Sequence, residues 1–574
     1  MRFSAIICGL ILVLEAGPTD ACGGFFCSQV PVDQSGENIV FSVEGGTVTA
    51  HIQIRYVGAA EQFAWILPLP SEPAAPEVST DLLFVNLGFA TQPIFQPRWN
   101  YDGCQQGRGY DGDVLAGAED DAASEGDGEG PPSVEVEFQG AVGPYDAVVL
   151  TSDDAQAVQD WLTTNGYDLP PETAQLITPY VESDFHFVAL KLQNDRQAGD
   201  IVPVKVTFPW DRPCVPLRLT SIAATEDMWV RMWVFSDQRS IPLNYRHVLI
   251  DEAKIDWPSY GANYTQVVTD AANEAEGRAF VTEFAGPTSE VRNVWGDLFS
   301  TDQYHLDTLA LIDDPAAFVN ELLAQGFPAT PQMQGLLRTH IPMPQALIDQ
   351  GVSEQEFYNS LSYWQDMGAL SGFDFDPVAF AADLETLIVV PLMEAQQMMD
   401  LPYLTRMFTT MSPDEMTEDP MFGVSADLDD VSNVHEADIF VYCDKTFMLY
   451  QVVLPDGRTI WVDADDATGS WTYDENGNLI VPEDDEAEMG SMARLRADLP
   501  GSDQAQQLYE DRQAVTSYDN RPVIAEVLAA HNEAVLGGTP FEEDGCACAL
   551  ASSPSRTPVW GTLLLLGLLL RRRR

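Results

Sequence analysis

The stretch TVTAHIQIRYV, Thr47 to Val57, decides how the architecture is read. Apolar Val48, Ala50, Ile52, Ile54 and Tyr56 alternate with polar Thr49, His51, Gln53 and Arg55. A period of two is that of a strand with one face buried and one face wet. The polar set, His51 included, is therefore expected to point to solvent. Past a turn at Gly58 to Glu61, the run Phe63 to Leu67 reads as a second strand, ended by Pro68 and Pro70, because proline removes a ladder donor. The two are expected to form a hairpin.

Strand signals continue outward from this point. Val134 to Phe138 and Ala147 to Leu150 read as strands, as do Phe185 to Leu192, Val204 to Phe208 with Lys205 and Thr207 turned outward, Trp229 to Phe235, and Ile241 to Ile250. Between them a helix capped at Thr151 or Ser152 carries Val158, Trp161 and Leu162 on one face and stops at Gly166. The segment 117–130, GAEDDAASEGDGEG, holds six acids, no base and no large apolar side chain. Nothing there offsets the entropy of ordering, so it reads as a solvated insert.

The period changes in the second half. Asp314 and Pro315 open a helix running through Phe318, Val319, Leu322 and Leu323 to Gly326, and Ser353 with Glu356 makes a capping box ahead of Phe357, Leu361 and Trp364. Helices are expected to continue from about Asp376 to Thr410. A hairpin then pairs Phe447 to Val453 with Thr459 to Val462 across Pro455, Asp456 and Gly457. The helix grammar of 153–167 recurs at 313–327, which shared capping rules explain as well as duplication does. The expected class is α+β, with a β-rich first half decorated by helices and a helix-rich second half closing with a β-hairpin. The expected divisions are 1–21, 22–300, 301–540 and 541–574.

Both ends carry export grammar. Arg2 precedes an apolar run from Phe3 to Leu14, and small Thr19 and Ala21 stand three and one before a cut ahead of Cys22. The first division thus reads as a signal peptide. Thr19 occupies the position where a lipoprotein signal usually has leucine, which weighs against acylation at Cys22. At the far end, Cys546 and Cys548 are followed by a linker, an apolar segment from Val559 to Leu570, and Arg571, Arg572, Arg573 and Arg574. Twelve residues make a helix of about 18 Å against a hydrocarbon core of roughly 30 Å. The segment is short for a permanent span. The order of its parts resembles the myxobacterial carboxy-terminal sorting signal, which implies processing near the cysteines by a sorting protease and delivery to the cell surface. A plain tail anchor is the alternative.

Composition narrows the partners. With 45% hydrophobic residues in 574, the chain can bury one or two sizeable cores. Acidic residues number 89 against 28 basic, a formal charge of −61, which disfavours nucleic acid and anionic membrane surfaces. Calcium suits such a surface. Its best candidate, Asp463, Asp465 and Asp466 with Asp474, Asn476 and Asn478, departs from the EF-hand pattern, since Ala467 takes the fifth position and no glycine the sixth. The body cysteines Cys22, Cys27, Cys104, Cys214 and Cys443 are disulfide candidates in an exported chain. They are odd in number, so one stays free, pairs elsewhere or is modified.

Several stretches resemble the secreted bacterial family catalogued as domain of unknown function 2330. They are ACGGFFC from Ala21 with PVDQSGENIVF after it, IQIRYVGAAEQFAWILPLP from Ile52, WLTTNGYDLP from Trp161, FVALKL from Phe187, PLRLT from Pro216, and YLTRMFTTMSPDEMTEDPMF from Tyr403. The resemblance implies export and a single architecture. It transfers no catalytic residue.

The common catalytic patterns GxSxG, HExxH, GxxxxGK[ST] and a strand-linked GxGxxG do not occur. His51, His186, His247, His305, His340, His435 and His531 are dispersed; His305 with Asp307, and Cys214 beside Trp210 and Asp211, are the nearest approaches to a catalytic set. No catalytic, cofactor or metal residue is therefore assigned. The expected function is that of an exported binding or envelope protein, whose partners are the export machinery, the sorting protease and the cell envelope. A secreted hydrolase using carboxylates and a calcium-stabilised adhesion protein are the alternatives.

Overall fold

The computed structural model describes residues 33–57, 64–101, 135–167, 173–193, 201–296, 298–443, 448–463 and 490–538. At its centre lies a mixed sheet of ten strands. Their order is Arg512–Asp519, Ser502–Tyr509, Arg246–Ile250, Ala279–Pro287, Tyr403–Met411, Ala224–Ser236, Asp33–Glu44, Thr47–Val57, Val204–Pro209 and Glu77–Val78. Asp33–Glu44 runs parallel to Ala224–Ser236, with Val40 beside Trp233, and antiparallel to Thr47–Val57, with Val40 beside His51.

The stretch Thr47–Val57 is a strand, and its apolar side is buried as expected. Val48, Ala50 and Ile52 join Ile39 and Phe41 in a core shared with a second sheet, ordered Ala64–Leu69, His186–Leu192, Tyr145–Thr151 and Glu135–Val142. Trp65, Leu67, Val188 and Leu190 face them from that sheet. The expected hairpin is corrected here: Ala64–Leu69 pairs with His186–Leu192, one layer away from Thr47–Val57. Alternating apolar residues specify a buried face, but not which neighbour supplies the hydrogen bonds. On the outer face of the second sheet, Val158, Trp161 and Leu162 of the helix Ala155–Thr164 pack against Val148, Leu150 and Phe187. That helix is capped by Asp154, two or three residues after the expected position.

The opposite face of the large sheet is covered by helices. Val40, Trp233, Phe235 and Leu404 meet Leu83 and Leu87 of the helix Asp81–Thr91 and the helical residues Phe318, Leu322, Phe380 and Leu384. Asp314 and Ser353 cap the helices Pro315–Ala324 and Glu354–Asn359 as the sequence predicts, each accepting from a backbone N–H in the first turn. Further along, Val267 and Ala271 of the helix Tyr264–Glu274 pack with Val281, Phe408, Ile439 and Val452. A third sheet, ordered Thr459–Asp463, Met448–Val453, Val434–Cys443 and Ile94–Tyr101, closes that core.

The α+β class holds, but strands are spread through the whole chain. Helix ends at Met398 and the expected helix through Thr410 is corrected: Tyr403–Met411 is a central strand, paired with Ala224–Ser236 and Ala279–Pro287. Pro402 disfavours helix in the residue before it, and Thr405, Thr409 and Thr410 are β-branched. The hairpin Met448–Val453 to Thr459–Asp463 forms as expected around Gly457. It does not close the fold, since Ser502–Tyr509, Arg512–Asp519 and the helix Arg521–Gly538 follow. The expected strand Ile241–Ile250 is broken in two. Arg239–Pro242 pairs with Phe422–Ser425, while Arg246–Ile250 joins the large sheet.

Candidate functional site

Residues expected in water line the helix-covered face of the large sheet. On Thr47–Val57, His51 and Gln53 are buried beneath the helix Asp81–Thr91 and the segment before it, which corrects their expected exposure. A layer of helix laid over a polar face must satisfy each group, because an unpaired buried donor costs its full desolvation. His51 Nδ1 lies 2.8 Å from Ser79 Oγ. Burial, reinforced by the charge of Lys205, holds the His51 imidazole down at about 3, so it is neutral at physiological pH.

A chain of amides continues from there. Asn38 donates to Gln53 Oε1 at 2.8 Å, and Gln53 donates to Asp81 Oδ1 at 2.7 Å. Asp81 Oδ2 accepts from the Gln332 backbone N–H at 3.1 Å, while the Gln332 side chain donates to the Ser79 and Leu387 carbonyls. Asp81 and Gln332 thereby fasten the helices to the sheet. Lys205, also expected to turn outward, is buried and paired with Glu77 at 2.5 Å and Glu394 at 2.8 Å.

Two arginines rise from the middle of the same face. Arg406 donates from Nε to Glu283 Oε2 at 2.5 Å and from Nη1 to the Gly88 carbonyl at 3.1 Å. Gly88 lies near the carboxyl end of the helix Asp81–Thr91, where the helix dipole favours a cation. Glu283 reaches Arg406 because the register shifts between Thr282 and Phe284; a bulge re-aims a side chain in this way. Burial and the Glu283 carboxylate push the Tyr264 hydroxyl well above its ordinary range.

Arg231 has no such carboxylate. Its Nη1 reaches only Asn38 Oδ1, at 3.4 Å, and its Nε is buried without a hydrogen-bond partner. The guanidinium carbon lies 4.9 Å from the Trp229 ring centroid and 5.3 Å from that of Phe408. Such stacking holds the planar group in place but satisfies none of its N–H donors. Trp229 in turn lies across Gly36, where an added Cβ would sit 2.0 Å from the ring. Arg55, exposed, stands opposite Gly36 on the next strand. Burial foremost, then the charge of Arg406, pushes Arg231 down to about 10, with Arg55 adding to the same effect and Glu283 opposing it. The guanidinium is still charged at neutral pH.

Chemically, this tract can hold a negative group at the exposed part of Arg231. Two larger grooves lie elsewhere. One, of about 450 Å³, is lined by Leu322, Phe327, Met333 and Tyr358; the other, of about 760 Å³, by Leu495, Val527, His531 and Val535. Neither gathers unpaired cationic groups among the described residues.

The residues singled out by sequence are scattered. Cys22, Cys27, Cys104, Cys546, Cys548 and Arg571 to Arg574 lie outside the described residues, as do the insert 117–130 and the acidic positions 465–478. Cys443 ends its strand opposite Met448. Cys214 has no disulfide partner among the described residues. It lines a small cavity with Glu37, Ile39, Leu67 and Pro68, where burial and the Asp419 charge push its thiol up to about 12. His305 is exposed, and its backbone N–H takes Gln325 Oε1 at 2.6 Å. His186, His340 and His435 each pair with a single carboxylate, Glu137, Asp383 and Glu252, in separate places. Among the described residues no group of three or more His, Cys, Asp or Glu is placed to hold a metal, and no helix is long and apolar enough to cross a membrane.

The sequence reading missed Arg231 and Arg406. The signal was present as one arginine inside each of two apolar runs, WVRMWVF from Trp229 and YLTRMF from Tyr403. A charge between residues buried on both faces needs a partner.

No curated protein and no solved structure matches the chain. Residues 18–421 match the family described as an uncharacterized protein conserved in bacteria, DUF2330. That span takes in Arg55, Arg231, Glu283 and Arg406 and most of the large sheet, so the chain belongs to the DUF2330 family.

Proposed function

We propose that this is an exported protein, displayed at the cell surface or outer membrane, that recognises a ligand rather than transforming one. The observation carrying the recognition role is Arg231: a charged guanidinium in contact with two aromatic rings, partly exposed, and lacking the carboxylate that Lys205 and Arg406 possess. Recognition is preferred over hydrolysis because the neighbouring groups are committed. Glu283 is tied to Arg406, and the Tyr264 hydroxyl is pushed far from ionising. Such a site holds charge; it does not move a proton.

Surface display is supported by the apolar run from Phe3 to Leu14 ahead of Cys22, and by the cysteine pair, apolar segment and terminal arginines at 546–574. The export machinery and a carboxy-terminal sorting protease are the partners this implies. The alternative arrangements are a lipid at Cys22 and a retained tail anchor. The test is cell fractionation with protease shaving, together with intact mass of the recovered protein. A surface form beginning near Cys22 and cut near Cys546 is expected, and Cys546→Ser with Cys548→Ser should release or mislocalise it. Full-length reduced protein in the cytosol would overturn the reading.

A further inference from the structure

Resting on that recognition role, we propose that Arg231, with Arg55 beside it, is the receptor for a carboxylate carried by the ligand. Acids outnumber bases 89 to 28 in this chain, so carboxylates are the most abundant partners a cation can find. Most other basic groups in or near the interior use them, although buried Arg239 relies on the Asp429 backbone carbonyl and the Thr282 hydroxyl. Lys205 takes Glu77 and Glu394, Lys254 takes Asp270, Arg406 takes Glu283, and Arg458 takes Asp251, Asp456 and Asp503. Arg231 is flanked instead by two further cations, Arg406 and Arg55; Glu283, already tied to Arg406, is the carboxylate that acts on Arg231, and Asp81 acts on Arg55. The site is a small positive island in a strongly negative molecule.

Its geometry favours a planar anion. The guanidinium carbon lies 4.9 Å from the Trp229 ring and 5.3 Å from the Phe408 ring, contacts that limit how the group can turn. A fixed fork pairs best with the two coplanar oxygens of a carboxylate. Gly36 contributes by carrying no side chain: the Trp229 ring occupies the space a Cβ would need, between the rows of Arg55 and Arg231. Arg55 has no hydrogen-bond or ion-pair partner among the described residues, and its exposed side chain gives the approaching anion a second cation.

Replacing Arg231 by an apolar side chain loses its ring contacts but relieves a desolvated charge, so the fold itself loses little stability. What separates a receptor from a merely structural arginine is the response to the anion. The experiment titrates the mature full-length protein with sodium acetate against sodium chloride at constant ionic strength, following the melting temperature and tryptophan fluorescence. Inorganic phosphate serves as the comparison anion.

Wild type is expected to melt higher in acetate than in chloride, and to respond less to phosphate. Arg231→Met should melt close to wild type in chloride and lose the acetate response, whereas the surface variant Arg55→Gln should weaken apparent acetate affinity about tenfold. An equal response in wild type and both variants, no response beyond chloride in wild type, or a stronger response to phosphate would overturn the assignment. A null acetate response in protein still shaved from the cell surface removes the carboxylate while leaving export standing.

Discussion

The Arg406 guanidinium meets the Glu283 carboxylate at 2.5 Å with both side chains almost wholly enclosed, 3% and 1% exposed. The pair sits at a bulge in the large sheet and under the end of a helix. Breaking a buried pair from one side leaves the other charge stranded, at a cost of about 3–5 kcal/mol. Glu283→Ala should therefore lower unfolding free energy by about that amount in a urea titration. Replacing both partners with apolar residues should cost far less than the sum of the single changes, a coupling that a double-mutant cycle reads directly.

Gly36→Ala tests how Trp229 is seated. The new methyl would lie 2.0 Å from the ring, so the indole must swing away and take the Arg231 stack with it. Forced repacking of this kind costs about 1–3 kcal/mol. The expected result is a lower melting temperature and a changed tryptophan emission spectrum, with the acetate response reduced alongside.

The buried titrating groups give stability opposing slopes with pH. His51 is held down at about 3 from an ordinary 6.5, so the folded state binds fewer protons than the unfolded chain between those values. Its contribution is complete above pH 6.5 and is lost as pH falls toward 3. Glu37 is pushed up to about 7 from 4.5 by burial, against a weak opposing bond from Gln34. There the folded state binds more protons, and stability declines as pH rises from 4.5 to 7. Glu37→Gln removes that titration. The difference in melting temperature between wild type and this variant should move in the variant's favour across that window and be flat above it.

Cys214 is partly buried, and its thiol is pushed up to about 12. At pH 8 roughly one molecule in ten thousand carries the thiolate that reacts. Labelling with a disulfide reagent should therefore leave Cys214 unmodified in the native protein and modify it on unfolding. Fast labelling under native conditions would contradict the enclosure described for its sulfur.

Local rules carried furthest in the sequence. The caps at Asp314 and Ser353, and the turn around Gly457, were readable because the residues that decide them lie within a few positions of one another. The face of Thr47–Val57 that meets the second sheet was readable for the same reason. What covers its other face was not, because Asp81 and Gln332 come from distant parts of the chain and make His51 and Gln53 interior. Tyr403–Met411 is ambiguous in sequence because a short apolar run does not distinguish buried helix from buried strand. Arg231 escaped notice because its distinction is a missing partner, and a missing partner is visible only once the neighbours are placed.

The parallel pairing of Asp33–Glu44 with Ala224–Ser236 brings Val40 against Trp233, and Trp233 in turn lies against Arg406. The first long strand pairs at once with Thr47–Val57 but waits roughly 190 residues for its neighbour on the other side, and that neighbour waits about 170 more for Tyr403–Met411. Such distant contacts must absorb loop-closure entropy before any of them is rewarded, which makes folding slow. The centre of the large sheet therefore cannot be completed until Tyr403–Met411 has been synthesised.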